Sequence, residues 1–382
     1  LVSWMRILGT AQWLFDETQS AAMVGVIGVV QLVVQIPALL WGGALADRID
    51  RKRLMTFSNV VTAVTLLVLG VLNWQDSLTP TLVYVGIALT AGAQMLASPA
   101  RSALVPIVMP KPLLLLAAST DTASQNAAAI AGPLLFAVIA VNAGLTEVFV
   151  VAGAIALVSS VLPLLVRAHG VADQEQGDGP PPSMLAQTKA GFQFVRTHPI
   201  LPGLFLLDIG ITTASFYREI LPVLALGLFA GGASATGMLG AANSVGAIIG
   251  AFIALLFVGY RAKGMLVLYA SFAYGVVLFG FGTANSLWMG MVMIACLGVA
   301  DAVTVAVRQT TIMLTTPDHM RGRAFALMIL AAQTANNVGT IWVGAWAGAI
   351  GAGNTMILAG VISITATVLI WRFWRPIREF RS

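Results

Sequence analysis

Along this chain, apolar runs long enough to cross a lipid bilayer follow one another with only short polar breaks. A helix rises about 1.5 Å per residue, so a hydrocarbon core of ~30 Å calls for about 20 apolar residues. The runs predict helices at about 1–18, 21–45, 54–73, 79–98, 114–142, 145–167, 199–227, 233–258, 264–284, 287–314, 323–349 and 352–374. With no water in the hydrocarbon to satisfy backbone N–H and C=O groups, helices are the form such runs take. The first run reaches its acidic end, FDETQ, too soon for a full span, which predicts a truncated helix 1 and residues preceding Leu1. The longest polar break, RAHGVADQEQGDGPPPSM, is rich in Gly, Pro and acids and reads as a flexible linker. After it, LAQTKAGFQFVRTH spaces basic and apolar residues helically and predicts an interfacial helix. The expected organisation is a six-helix bundle at 1–167, a linker with the interfacial helix at 168–198, and a second six-helix bundle with a short basic tail at 199–382.

Composition agrees with the pattern. The chain is 58% hydrophobic with a mean hydropathy of +0.91, and its 382 residues include only 20 Lys and Arg and 15 Asp and Glu. An all-α integral membrane protein is expected, and a water-soluble domain is excluded. The net charge of +5 has a topological reading. Arg48, Arg51, Lys52, Arg53, Arg101, Lys111, Arg167, Lys189, Arg196, Arg261, Lys263, Arg321 and Arg323 fall in alternate loops, and Arg372, Arg375, Arg378 and Arg381 follow the last run. The opposite turns hold Asp16, Glu17, Asp76 and Glu147. Basic loops stay in the cytoplasm, so these loops and the C-terminus are expected there, in a bacterial cytoplasmic membrane. The charge then reflects topology and contact with anionic membrane lipid, with no nucleic-acid partner expected.

Cys296 is alone, and His169, His198 and His319 are far apart, so neither a disulfide nor a metal site is expected. The chain has no phosphate-binding loop, no metal-ligand spacing and no nucleophile beside a His and an acid, which argues against an enzyme and against any cofactor. An ion gradient is the remaining energy source for a transporter.

The halves echo each other. RILGTAQWLFDE, Arg6 to Glu17, lies over DIGITTASFYRE, Asp208 to Glu219, matching Thr10 with Thr212 and Glu17 with Glu219. Farther on, Gln94 falls on Asp301, Arg101 on Arg308, Pro110 on Pro317 and Gly132 on Gly339. The common order predicts a duplicated six-helix unit, a repeat used by many secondary transporters.

One stretch, GGALADRIDRKRL, crowds six charges into the seven residues from Asp47 to Arg53. Through Gly43, Leu45, Asp47, Arg48, Arg51 and Lys52 it resembles the signature of the major facilitator superfamily, with Asp50 where that signature ordinarily has Gly. SPARSALVPIVMP and VRQTTIMLTTPDHMRGRAFAL resemble the subgroup of enterobactin and drug exporters. The resemblance implies twelve helices in two pseudo-symmetric six-helix bundles, alternating access, and export coupled to protons. It also implies an inner conformational latch in which Asp47 acts with Arg101, Gly43, Arg48, Arg51 and Lys52. Simple positive-inside anchoring is the alternative reading of the same charges.

Ionisable groups inside membrane helices are costly and therefore functional suspects. Asp208, Thr212, Ser215 and Glu219 recur at spacings of one helical turn and predict a polar stripe. Asp301 precedes Arg308 by about two turns, ~10 Å. Asp208, Asp301, Glu219 and Asp121 are the candidate proton-coupling acids, although Arg6 or Arg308 could hold either of the first two permanently ionised. Arg6, Thr10, Trp13, Glu17, Gln94, Thr212, Ser215, Tyr217, Arg218, Arg308, Gln333 and Asn336 are candidates for the cavity and substrate. Gly132 and Pro133 resemble the core of an exporter-type motif in the fifth helix, without its second glycine pair. Gly246 and Gly250, and Gly344 and Gly348, predict close helix packing. The expected function is a monomeric secondary transporter exporting a small amphipathic molecule, siderophore-like or drug-like, in exchange for protons. A lysophospholipid translocator and a non-transporting receptor or scaffold are the alternatives.

Overall fold

The computed structural model describes residues 1–46, 49–110, 113–165, 184–257 and 259–381. It is all helix, with no strand among the described residues. In chain order the helices are α1 (Val2–Thr18), α2 (Ala21–Ala46), α3 (Arg51–Trp74), α4 (Pro80–Val108), α5 (Leu114–Asn142), α6 (Leu145–Val161), α7 (Met184–Thr197) and α8 (Leu201–Ser215). There follow α9 (Leu221–Phe229), α10 (Ala233–Leu256), α11 (Lys263–Gly282), α12 (Leu287–Thr315), α13 (Asp318–Ile350), α14 (Ala352–Phe373) and α15 (Arg375–Glu379). Among the described residues, ten helices are long and apolar enough to cross a membrane. The two other expected runs are α1, at 17 residues, and the seventh, which is not one helix but α8 and α9.

That seventh run breaks for a local reason. Pro222 sits in the first turn of α9. In an unbroken helix its ring would press on the carbonyl of Arg218 and its missing N–H would leave a gap in the ladder. Phe216 takes an extended conformation, and a turn follows in which Ile220 N–H donates to the Tyr217 carbonyl at 2.9 Å. Glu219 therefore leaves the stripe formed by Asp208, Thr212 and Ser215. At the other end of α8, the axis of α7 turns by 101° from that of α8, the geometry of a helix lying along the membrane before one that enters it.

The chain forms two compact units, Leu1–Gln19 with Val29–Pro181, and Ser20–Gly28 with Pro182–Ser382. Each repeats the same neighbours. In the first, α1 packs on α5 and α6, and α3 on α4 and α6; in the second, α8 packs on α13 and α14, and α11 on α12 and α14. The turns repeat as well. Gly144, between α5 and α6, and Gly351, between α13 and α14, have φ of 114° and 86°, backbone that residues with a Cβ rarely adopt. They stand apart by the same offset as Gly132 and Gly339. In the second unit α10 lies against α12 backbone to backbone, where a Cβ on Gly250 would stand 2.5 Å from the Val299 carbonyl oxygen.

Candidate functional site

The apolar side of α8 fixes the position of its polar side. Leu204, Leu207 and Ile211 share a core with Leu266, Val267 and Leu268 of α11 and with Val303 and Val307 of α12. Held there, Asp208 forms an ion pair with Arg308 of α12. The side chains are 16% and 8% exposed, so each charge depends on the other for the solvation it has lost. Thr212 donates weakly to Asp208, at 3.5 Å, and Arg308 keeps a buried Nε without an acceptor. Asp301, on the same helix as Arg308, is exposed and within electrostatic reach of Asp208, Arg308 and Arg218. The cluster thus contains two acids of the coupling set and one buried arginine.

Polar groups from other helices surround it. Tyr274 of α11 donates to Ser215 at 3.2 Å, and Ser215 donates to its own helix at the Ile211 carbonyl, 2.7 Å away. The break after α8 is tied down on two sides. Asn243 of α10 donates to the Tyr217 hydroxyl at 2.7 Å, and Thr340 of α13 donates to the buried Glu219 at 3.3 Å. Arg218 is exposed, its guanidinium 5.6 Å from the Phe216 ring centre. On α13, Asn336 donates to Gln333 at 3.3 Å.

In the first unit, Arg6 of α1 donates to Gln94 of α4 at 3.4 Å, and Gln94 donates to Ser3 at 2.9 Å. Thr10 is buried and bonded to the Arg6 carbonyl. Trp13 is buried too and donates to Asn73 at 2.6 Å, while Glu17 is exposed. Gly132 lies against Trp4, where a Cβ would come within 2.6 Å of the tryptophan Cβ, and Pro133 stays inside α5. Arg101 pairs with Asp121 of α5 at 2.6 Å, and Gln125 donates to the same carboxylate at 2.7 Å. Asp47 and Arg48 lie outside the described residues. Arg51 and Lys52 open α3, and Asp50 caps that helix by accepting the Lys52 N–H at 2.9 Å. With φ of −53°, position 50 has no need of glycine, and an acid there gains the cap.

Asn243, Tyr274 and Thr340 were not singled out in the sequence. Each lies inside a predicted span, and only packing brings them to α8 and the turn after it.

Residues 1–381 match the family model described as transmembrane secretion effector, within the major facilitator superfamily. The chain belongs to that family. Its curated relatives include enterobactin exporters from Citrobacter koseri, 24% identical over 350 residues, and Shigella boydii, 25% identical over 365 residues. These alignments cover 90% and 93% of this chain and 81% and 86% of the relatives. Among solved structures, the nucleoside transporter NupG has a TM-score of 0.74 at 12% identity, covering 97% of this chain and 99% of that one. A bacterial homologue of the human lysosomal transporter Spinster, inward-facing and occupied, scores 0.73 at 13% identity, covering 99% and 96%. These likenesses give the fold. The chain is an integral membrane transporter of this superfamily, and its relatives are transporters rather than enzymes.

Proposed function

We propose that this transporter exports a small amphipathic molecule of siderophore type across the bacterial cytoplasmic membrane, by alternating access and in exchange for protons. In this reading Asp208, Arg308 and Asp301 are the coupling group, one copy suffices, and the basic loops and C-terminus face the cytoplasm. The observation that carries it is the buried Asp208–Arg308 pair with a second acid, Asp301 of α12, within electrostatic reach.

A proton on Asp208 cancels its charge and leaves Arg308 buried without its counter-ion. Removing one partner of a buried pair costs about 3–5 kcal/mol, so Arg308 is driven toward another anion, Asp301 or an acidic group of the cargo. Loss of that proton from Asp208 restores the pair. A ligand that binds both states equally shifts nothing, and here the charge of the site differs between the states. The likeness to enterobactin exporters supports the cargo class. The signature residues Gly43, Asp47, Arg48, Arg51 and Lys52 supply the inner latch in this reading, with Arg101 shared between Asp47 and the Asp121 it meets here.

The test uses proteoliposomes, enterobactin as probe and an imposed pH gradient. Asp208→Asn or Asp301→Asn abolishes uphill accumulation and spares downhill exchange. Accumulation by both variants and by the double variant would place coupling elsewhere.

A further inference from the structure

The turn between α7 and α8 ties four elements together through one imidazole and its neighbours. His198 accepts, at Nδ1, the backbone N–H groups of Ile200 and Leu201, both at 3.2 Å, and so caps the first turn of α8. The ring also hydrogen-bonds the backbone of Thr315, the last residue of α12. With Nδ1 accepting, the donor is Nε2–H and the acceptor is the Thr315 carbonyl. The next carbonyl, that of Pro199, accepts the Trp374 indole N–H at 2.9 Å. Below the turn, Val195 of α7 and Leu201 of α8 share a core with Ile312 of α12 and Ala324 and Met328 of α13.

The two helices stapled by His198 are the two that carry the coupling pair. Leu201 precedes Asp208 by seven residues and Arg308 precedes Thr315 by seven, about two turns or ~10 Å on each helix. The staple and the ion pair therefore fix the same contact at two heights. We propose that His198 is a positioning residue that reads the pH on its own side of the membrane: neutral, it holds α8 against α12 in coupling register, and protonated, it lets the start of α8 go. The proposal rests on the coupling role given above to Asp208 and Arg308. Its consequence is a brake, since a carrier that admits protons would slow as its inner face acidifies.

The neutral form alone can make both bonds, because an Nδ1 proton would point at two N–H donors and at the positive end of a helix. Burial moves the imidazole below its ordinary range, with the Thr315 bond pulling the other way. The staple is complete above the unfolded value of about 6.5 and is lost as pH falls through the lower folded value. The described charges on the elements around the turn are Arg196 on α7, Arg321 and Arg323 on α13, Arg372 at the end of α14, and Arg375, Arg378 and the acid Glu379 on α15. The nearest on α8 and α12 are Asp208 and Arg308 themselves. The side chains of Asp318 and His319 lie outside the described residues.

His198→Asn keeps a cap acceptor without titrating, and His198→Ala removes the cap. In nanodiscs, amide protection factors at Ile200 and Leu201 are measured as pH falls from about 8 to about 5. Wild type loses protection on the acid side, His198→Asn stays protected throughout, and His198→Ala is unprotected throughout. This arm needs no cargo. In proteoliposomes, downhill enterobactin exchange by wild type falls about tenfold one pH unit below the midpoint on the His198 side, and His198→Asn is flat. Wild-type protection that ignores pH, or an acid limb shared by His198→Asn and wild type, overturns the proposal. Failure of the coupling reading has a different signature, uphill accumulation by Asp208→Asn and Asp301→Asn, and leaves the protection result standing.

Discussion

Arg101 and Arg308 occupy the same position of the repeat, yet their surroundings give them different physics. Arg308 and Asp208 are 8% and 16% exposed, whereas Arg101 and Asp121 are 55% and 42% exposed. An exposed pair is solvated with or without its partner and is worth about 0–1 kcal/mol, while breaking a buried one costs about 3–5 kcal/mol. Thermal unfolding of nanodisc-held variants should reflect the contrast. Arg308→Met destabilises strongly and Asp208→Leu added to it restores most of the loss; Arg101→Met and Asp121→Leu each change little. Equal losses from the two arginine variants would mean that burial does not govern these pairs. The sequence marks all four residues and names Arg308 with Arg6 as a counter-ion for Asp208 or Asp301, but it does not pair Arg101 with Asp121. Helical spacing tells which residues share a face of one helix, and it is silent about which neighbouring helix that face meets. The family resemblance links Arg101 to Asp47 and the cost of a charge in a membrane helix marks Asp121 as a coupling acid, while the structure brings Arg101 and Asp121 together.

At the scale of elements, most of the fold was legible because hydropathy reports length and burial in lipid together. The fifth run, 114–142, coincides with α5, and the tenth, 287–314, ends one residue short of α12. The seventh reads as one span because the apolar residues on either side of Arg218 and Glu219 together have the length of a continuous helix. Pro222 was visible, but a proline can kink a helix as well as end it, and only the extended Phe216 and the anchors at Asn243 and Thr340 settle the break. The repeat carries its own structural mark in Gly144 and Gly351. A Cβ on Gly351 would meet nothing within 4 Å, so its substitution isolates the backbone cost of a positive φ. Gly351→Ala should lower stability by about 1–3 kcal/mol, and Gly144→Ala by a similar amount, read from unfolding in nanodiscs. An unchanged midpoint for Gly351→Ala would show that this turn relaxes into ordinary backbone at no cost, and the paired glycines would then lose their meaning as a conserved geometry of the duplication.

For the molecule as a whole, duplication supplies two similar scaffolds, and the chemistry written on them is unequal. Where the second unit places Asp208 and Asp301, the first places Arg6 and Gln94, and Arg6 donates to Gln94 at 3.4 Å. The first unit's candidate acid, Asp121, sits in a pair that is 55% and 42% exposed, so burial does not hold its charge as it holds that of Asp208. A group coupled to transport must change its free energy of protonation between states, and a group solvated throughout has little to change. Coupling is therefore expected to be confined to the second unit. The double variant Arg101→Gln with Asp121→Asn should still accumulate enterobactin against its gradient under an imposed pH difference, at a rate within about threefold of wild type, a cost of under 1 kcal/mol at the barrier. Arg308→Gln, which leaves Asp208 and Asp301 in place, should lose that accumulation. Loss of uphill transport in the first variant, with downhill exchange intact, would show instead that the exposed Asp121 is part of the proton path and that both halves of the repeat take part in coupling.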